Sequence, residues 1–141
     1  MPATLTRVLV VDDFEPWRDF IRSALGTQPG LEIVGEASDG QSAVDKAREL
    51  QPDLILLDIG LPIMNGMECS RRIRHLAPGA RILFASENSD VDVIQAALSD
   101  GAFGYLLKAD AGQELFAAIT AVLRGDRFIS SRVNDKVKDK R

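Results

Sequence analysis

The sequence predicts an α/β protein with a five-stranded parallel sheet covered by helices on both faces. Three observations predict it. Short apolar runs alternate with helix-period segments five times between residues 1 and 125. The runs are apolar throughout rather than at every second residue, which suits strands buried on both faces. Polar residues gather directly after several of the runs, where open α/β sheets place their ligands. Alternation of this kind implies parallel strands joined by crossover helices.

The elements follow in order. Arg7 to Val11 is a short, β-branched apolar run and reads as the first strand. Pro16 fits the first turn of a helix. Trp17, Phe20, Ile21, Ala24 and Leu25 continue that helix at helical spacing, until Gly26 and Gln28-Pro29-Gly30 end it. Leu31 to Ala37 is the second strand, and Ser38 or Asp39 caps the next helix, marked by Ala43, Ala47 and Leu50. That helix must stop before Pro52. Asp53 to Leu57 is the third strand, followed by a loop from Asp58 to Gly66 and a helix from Met67 to Leu76. Arg81 to Ala85 is the fourth strand, and Val91, Ile94, Ala97 and Leu98 mark the fourth helix, with Gly101 at its C-terminal end. Gly104 to Leu107 is the fifth strand, and Leu115, Phe116, Ile119, Val122 and Leu123 give a final amphipathic helix. Residues 1–125 thus read as one domain, and residues 126–141 as a polar linker or C-terminal tail.

Composition narrows the function classes. The chain has 141 residues, 45% hydrophobic and 27% charged, with a net charge of −4. The last ten residues hold five basic and two acidic side chains, so the acidic excess lies in the rest of the chain. An acidic domain argues against direct nucleic-acid binding. A single cysteine, Cys69, excludes an internal disulfide. No signal peptide and no apolar stretch of membrane-spanning length is visible. The expectation is a cytoplasmic protein with no membrane partner.

The residues at the strand ends carry the chemistry. Asp12 and Asp13 follow the first strand, Asp58 the third and Ser86 the fourth, while Lys108 ends the fifth. Three carboxylates on one rim repel one another. A hard cation resolves this, and Mg²⁺ takes oxygen ligands while sharing a phosphate oxygen. The carbonyl of Gly60 offers a further, neutral ligand. A lysine and a hydroxyl beside the metal suit a phosphoryl group, whose transfer depends on positioning and charge neutralisation. Each residue also has a plainer reading. Asp12 and Asp13 cap a helix equally well, Asp58 suits a turn, Ser86 an ordinary loop, Lys108 a solvated surface and Tyr105 a half-buried strand position. Their joint placement at four strand ends favours a site. His75 is the only histidine and has no partner of its kind, and Cys69 reads as packed rather than reactive.

These residues also carry a resemblance. Val10-Val11-Asp12-Asp13, Leu56 to Gly66, Ser86 and Gly104-Tyr105-Leu106-Leu107-Lys108 resemble the receiver domains of two-component response regulators, the CheY-like family, from about residue 6 to 125. Val34 to Gly40, Tyr105 to Asp110 and Gly125 to Ser131 are similar to the NarL/FixJ group, whose output is a LuxR-type helix-turn-helix. The resemblance implies a flavodoxin-like, doubly wound (βα)5 fold with strand order 2-1-3-4-5. It implies a bacterial phosphorelay protein in which Asp58 accepts a phosphoryl group from a histidine kinase. Mg²⁺ would be held by Asp12, Asp13, Asp58 and the Gly60 carbonyl. Lys108 and Ser86 would contact the phosphoryl oxygens, and the rotamer of Tyr105 would follow phosphorylation. The fourth helix, fifth strand and fifth helix would form the switch surface, with a phosphorylation-linked homodimer as one outcome. Such a domain is no metabolic enzyme; it catalyses only its own phosphorylation and dephosphorylation. DNA would be reached only through a helix-turn-helix absent from this chain, and transcription would be regulated that way.

Two features depart from the family pattern. Glu87 stands after the switch hydroxyl, where a small residue is usual, and no helix-turn-helix follows residue 131. An aspartate-dependent phosphatase of the haloacid-dehalogenase type would need a second acid two residues after Asp58, and that position is Gly60. No GxGxxG or P-loop signature supports a nucleotide site.

Overall fold

In a computed structural model of the chain, residues 5–139 are described. Six strands form one sheet in the order β2-β1-β3-β4-β5-β6: β1 Thr6–Val11, β2 Leu31–Ala37, β3 Leu54–Leu57, β4 Arg81–Ser86, β5 Gly104–Leu107 and β6 Phe128–Ile129. All five pairings are parallel. The helices are α1 Glu15–Leu25, α2 Gly40–Leu50, α3 Gly66–Leu76, α4 Val91–Ser99, α5 Ala111–Leu123 and α6 Ser131–Asp139, with one 3₁₀ turn at Lys108–Asp110.

The continuous apolar runs are explained by the two faces. Val8, Val10, Leu54, Leu56, Leu83 and Leu106 point to the layer of α1 and α5, where they meet Ile21, Leu25, Leu115 and Ile119. Their neighbours Leu9, Val11, Ile55, Leu57, Ile82, Phe84, Tyr105 and Leu107 point to the layer of α2, α3 and α4. Period-2 alternation therefore separates the two faces, and both are apolar.

The sheet reverses its strand order at β1, which lies between β2 and β3. A crevice opens there, outside the carboxyl ends of β1 and β3. The loop after β3 is held tightly against this crevice. Gly66 donates to the Ile59 carbonyl at 2.7 Å, and a Cβ on Gly66 would run into the Asp58 carbonyl oxygen and the Ile59 backbone. Only glycine lets the start of α3 pass so close to the strand end. Ile63, in the same loop, has φ 73 and is 85% exposed. Met64 donates to the Pro62 carbonyl at 2.8 Å, so Ile63 sits at the centre of a strained γ-turn.

The expectation of five strands in the order 2-1-3-4-5 is corrected: a sixth strand extends the sheet beyond β5. Phe128 donates to Phe103 and Ser130 to Tyr105 across this edge. Two residues are too few to show any period, which is why the segment reads as polar tail. The stretch expected as linker or tail, residues 126–141, contains β6 and α6 as far as residue 139 and lies outside the described residues after that. Val133 and Val137, one turn apart on α6, are buried in the same cluster as Ile94, Ala97 and Leu98 of α4.

Candidate functional site

Asp12 follows β1 directly and is fully buried. It does not cap α1: the residue at the cap is Phe14, which makes no side-chain cap bond. Instead Asp12 Oδ1 accepts from the Phe14 amide at 2.9 Å, and its carbonyl accepts from Arg18 at 2.7 Å. Both bonds fix the turn, so that the second oxygen faces the crevice. Lys108 meets that oxygen at 2.6 Å, with both side chains largely buried. The lysine ammonium also lies 5.1 Å from the centre of the Trp17 ring.

Asp58 follows β3, is 9% exposed, and takes its backbone position from a bond to the Val11 carbonyl at 3.1 Å. Carboxylate oxygens of Asp12, Asp13 and Asp58 lie within 4.8 Å of one another, Asp13 being exposed. Burial pushes the Asp58 carboxyl above the usual carboxylate value; Lys108 opposes the rise, Asp12 adds to it, a bond from the Gly60 amide opposes it, and Asp13 adds to it. One lysine against three carboxylates leaves the cluster short of positive charge, and its donors are hard oxygens at one side of a cleft. That donor set fits a divalent cation such as Mg²⁺.

Ser86 is the last residue of β4 and is almost fully buried. Its Oγ accepts from the Asn88 amide at 3.1 Å. Tyr105, on β5, is fully buried, and its hydroxyl donates to the Asn88 carbonyl at 2.7 Å. Burial raises the Tyr105 phenol above its ordinary value, a bond with Ser86 lowers it, and Asp58 and Asp90 raise it further. The 86–88 turn thus joins the aspartate cleft to the aromatic ring of the next strand.

The structure brings Asp13, Asp58, Gly60, Ser86 and Lys108 into one cleft of about 520 Å³, with Glu87 at its wall. Tyr105 and Asp12 are fully buried and do not line it, though each is bonded to a residue that does. A second, more apolar cleft lined by Phe14, Pro16, Trp17, Phe20 and Leu107 adjoins it and shares Phe14, Glu87 and Lys108. Trp17, Arg18 and Asn88 were not among the sequence candidates. The signal available for the first two was their place one turn after Asp12-Asp13; Asn88 acts through its backbone carbonyl, which leaves no trace in residue type. His75 is exposed at the end of α3, away from the cleft. Burial pushes the Cys69 thiol up to about 12, and its Sγ faces the Gly40 carbonyl, so it is packed and unreactive.

The sequence pattern of the response regulator receiver domain matches residues 8–120. The chain is 36% identical over 133 residues to the transcriptional regulatory protein LiaR of Bacillus subtilis, covering 94% of this chain and 63% of that protein. It is 36% identical over 138 residues to the nitrate/nitrite response regulator protein NarP of Escherichia coli, covering 98% and 64%. The chain therefore spans less than two thirds of the length of these relatives. Among solved structures it is similar to a LuxR-family two-component response regulator from Aurantimonas sp. SI85-9A1, with TM-score 0.91, 32% identity and coverage of 97% and 98%. The signal receiver domain of the putative response regulator NarL from Mycobacterium tuberculosis gives TM-score 0.82 at 31% identity, covering 87% of this chain and 99% of that one.

Proposed function

Because the chain belongs to the response regulator receiver domains, with its relatives in the NarL and LuxR group, we propose that Asp58 accepts a phosphoryl group from a histidine kinase and that α4, β5 and α5 change their contacts in response. The observation that carries this reading is the cleft itself: a mostly buried carboxylate flanked by two more, one lysine and one hydroxyl, each at a strand end.

Each residue then has a stated task. An Asp58 oxygen attacks phosphorus as the bond to the donor nitrogen breaks, and the donor keeps that electron pair. Lys108 leaves Asp12 for the new phosphoryl oxygens, and Ser86 donates its hydroxyl to another. Asp12, Asp13, Asp58 and the Gly60 carbonyl would hold Mg²⁺, which when bound neutralises charge on the phosphoryl oxygens. As Ser86 turns toward the phosphoryl group, the ring of Tyr105, already bonded inward to the Asn88 carbonyl, closes behind it and holds the 86–88 turn in that position. The local charge thereby biases a two-state surface. The apolar cleft beside Lys108 offers the donor protein a seat next to the acceptor oxygen.

The same proposal includes regulation of transcription in the cytoplasm. It takes this from relatives named as transcriptional regulatory proteins, of whose length this chain covers 63% and 54%. Among the described residues, no helix is long and apolar enough to cross a membrane. A direct test uses acetyl phosphate with Mg²⁺ and reads intact mass. Wild type gains one phosphoryl group, and Asp58→Ala gains none; equal uptake by the variant would remove Asp58 from the role.

A further inference from the structure

The C-terminal helix is fastened to the domain by three consecutive residues. Ser130, fully buried, accepts the Leu107 amide on its Oγ at 2.8 Å. Ser131 donates its hydroxyl to Glu114 at 2.8 Å, and Arg132 meets Asp110 at 2.8 Å. All three anchors lie on either side of Lys108, the lysine of the cleft. Further along, Val133 and Val137 are buried with α4, and Gln95 of α4 donates to the Val137 carbonyl at 2.8 Å. These bonds are more than a frayed tail would make.

The position of Tyr105 gives the fastening a consequence. Its backbone is paired with Ile129 of β6, and its carbonyl accepts from Ser130 at 3.0 Å. On β5 the ring is turned inward, its hydroxyl on the Asn88 carbonyl and the 86–88 turn beside it. β6 pairs with the edge of the sheet beside Tyr105, and α6 buries Val133 and Val137 in the cluster that contains it. The ring is fully buried and bonded inward.

We infer that docked α6 is a cap that holds Tyr105 inward, and so favours the phosphorylated state of the cleft. This rests on the Asp58 reading above and adds the residues that regulate it. Coupling of this kind is reciprocal: if α6 raises the affinity of the cleft for a phosphoryl group, a phosphoryl group tightens α6 by the same factor.

The test uses the full chain with Mg²⁺ and beryllofluoride, read through Trp17, the only tryptophan and a neighbour of Lys108. Val133→Asp places a charge in the α6–α4 contact and undocks the helix. Its dissociation constant for beryllofluoride rises about fivefold or more, the scale of an ordinary coupling. The double variant Ser131→Ala/Arg132→Ala removes only the anchors; it shows a smaller rise and carries the test alone if Val133→Asp fails to fold. In a Tyr105→Ala background the Val133→Asp effect vanishes, since the ring that transmits it is gone. Amide exchange in α6 slows when beryllofluoride binds wild type. Wild-type binding with unchanged or tighter affinity in the undocked variants would overturn the inference, as would an effect that persists undiminished without Tyr105. Absence of any binding by wild type would instead overturn the Asp58 reading, and this inference with it.

Discussion

At the residue scale, Asp58 is the group whose environment departs most usefully from that of an exposed carboxylate. Burial raises its carboxyl above the ordinary value, and Lys108 offsets only part of the rise. The folded state therefore binds protons on Asp58 more readily than the unfolded state. Stability from this group is greatest at pH below the ordinary carboxyl value and is lost as pH rises toward the folded value. Asp58→Asn removes that loss. In the absence of Mg²⁺ at neutral pH, this variant is expected to be more stable than wild type by about 1 kcal/mol, the usual scale of one substitution. The advantage shrinks in acid, where the wild-type carboxyl is protonated. Urea unfolding at two pH values checks it, and a variant less stable than wild type at neutral pH would contradict it. A buried carboxyl held at this cost in stability is the pattern that the proposed phosphoacceptor role predicts.

At the element scale, the loop from Asp58 to Gly66 and the added β6–α6 unit show how far sequence could reach. Gly66 was legible as part of a motif, and the structure supplies its reason in the backbone that a Cβ would strike. Ile63 was not legible: nothing in a β-branched residue announces a left-handed backbone, because the γ-turn is imposed by the bonds on either side. A β-branched residue with positive φ costs roughly 1–3 kcal/mol. With its side chain exposed, Ile63→Gly loses little packing and is expected to raise stability by about 1 kcal/mol. Thermal unfolding measures this, and a fall in stability would show that the turn is not strained. The five buried strands were legible because each run is apolar on both faces. Phe128–Ile129 was not, since β6 is made by edge pairing to β5 rather than by its own pattern. For α6, two valines among seven polar residues gave too weak a stripe to read without α4 beneath it.

At the scale of the whole molecule, topology gathers residues far apart in sequence into one cleft. The reversal of strand order at β1 places Asp12, Asp13 and Asp58 side by side, and β4 and β5 add Ser86 and Lys108. This convergence was readable from strand ends alone, whereas the ion pair of Lys108 with Asp12 rather than Asp58 was not. It depends on which oxygen the Asp12 turn leaves free. Binding of Mg²⁺ to the folded cleft alone stabilises the fold by mass action, about 2.7 kcal/mol at one hundred times the dissociation constant. Thermal unfolding with and without Mg²⁺ is expected to show that gain in wild type and a much smaller one in Asp13→Asn; equal gains would place the cation elsewhere. The central claim is that the chemistry ends on Asp58, and one measurement tests it most directly. After phosphorylation with Mg²⁺ and a small phosphoryl donor, borohydride reduces an aspartyl phosphate to homoserine, which peptide mass mapping locates. Homoserine at position 58 and nowhere else is the predicted result. Homoserine at position 12 or 13, or a phosphoryl group on a residue that borohydride leaves untouched, would contradict the account.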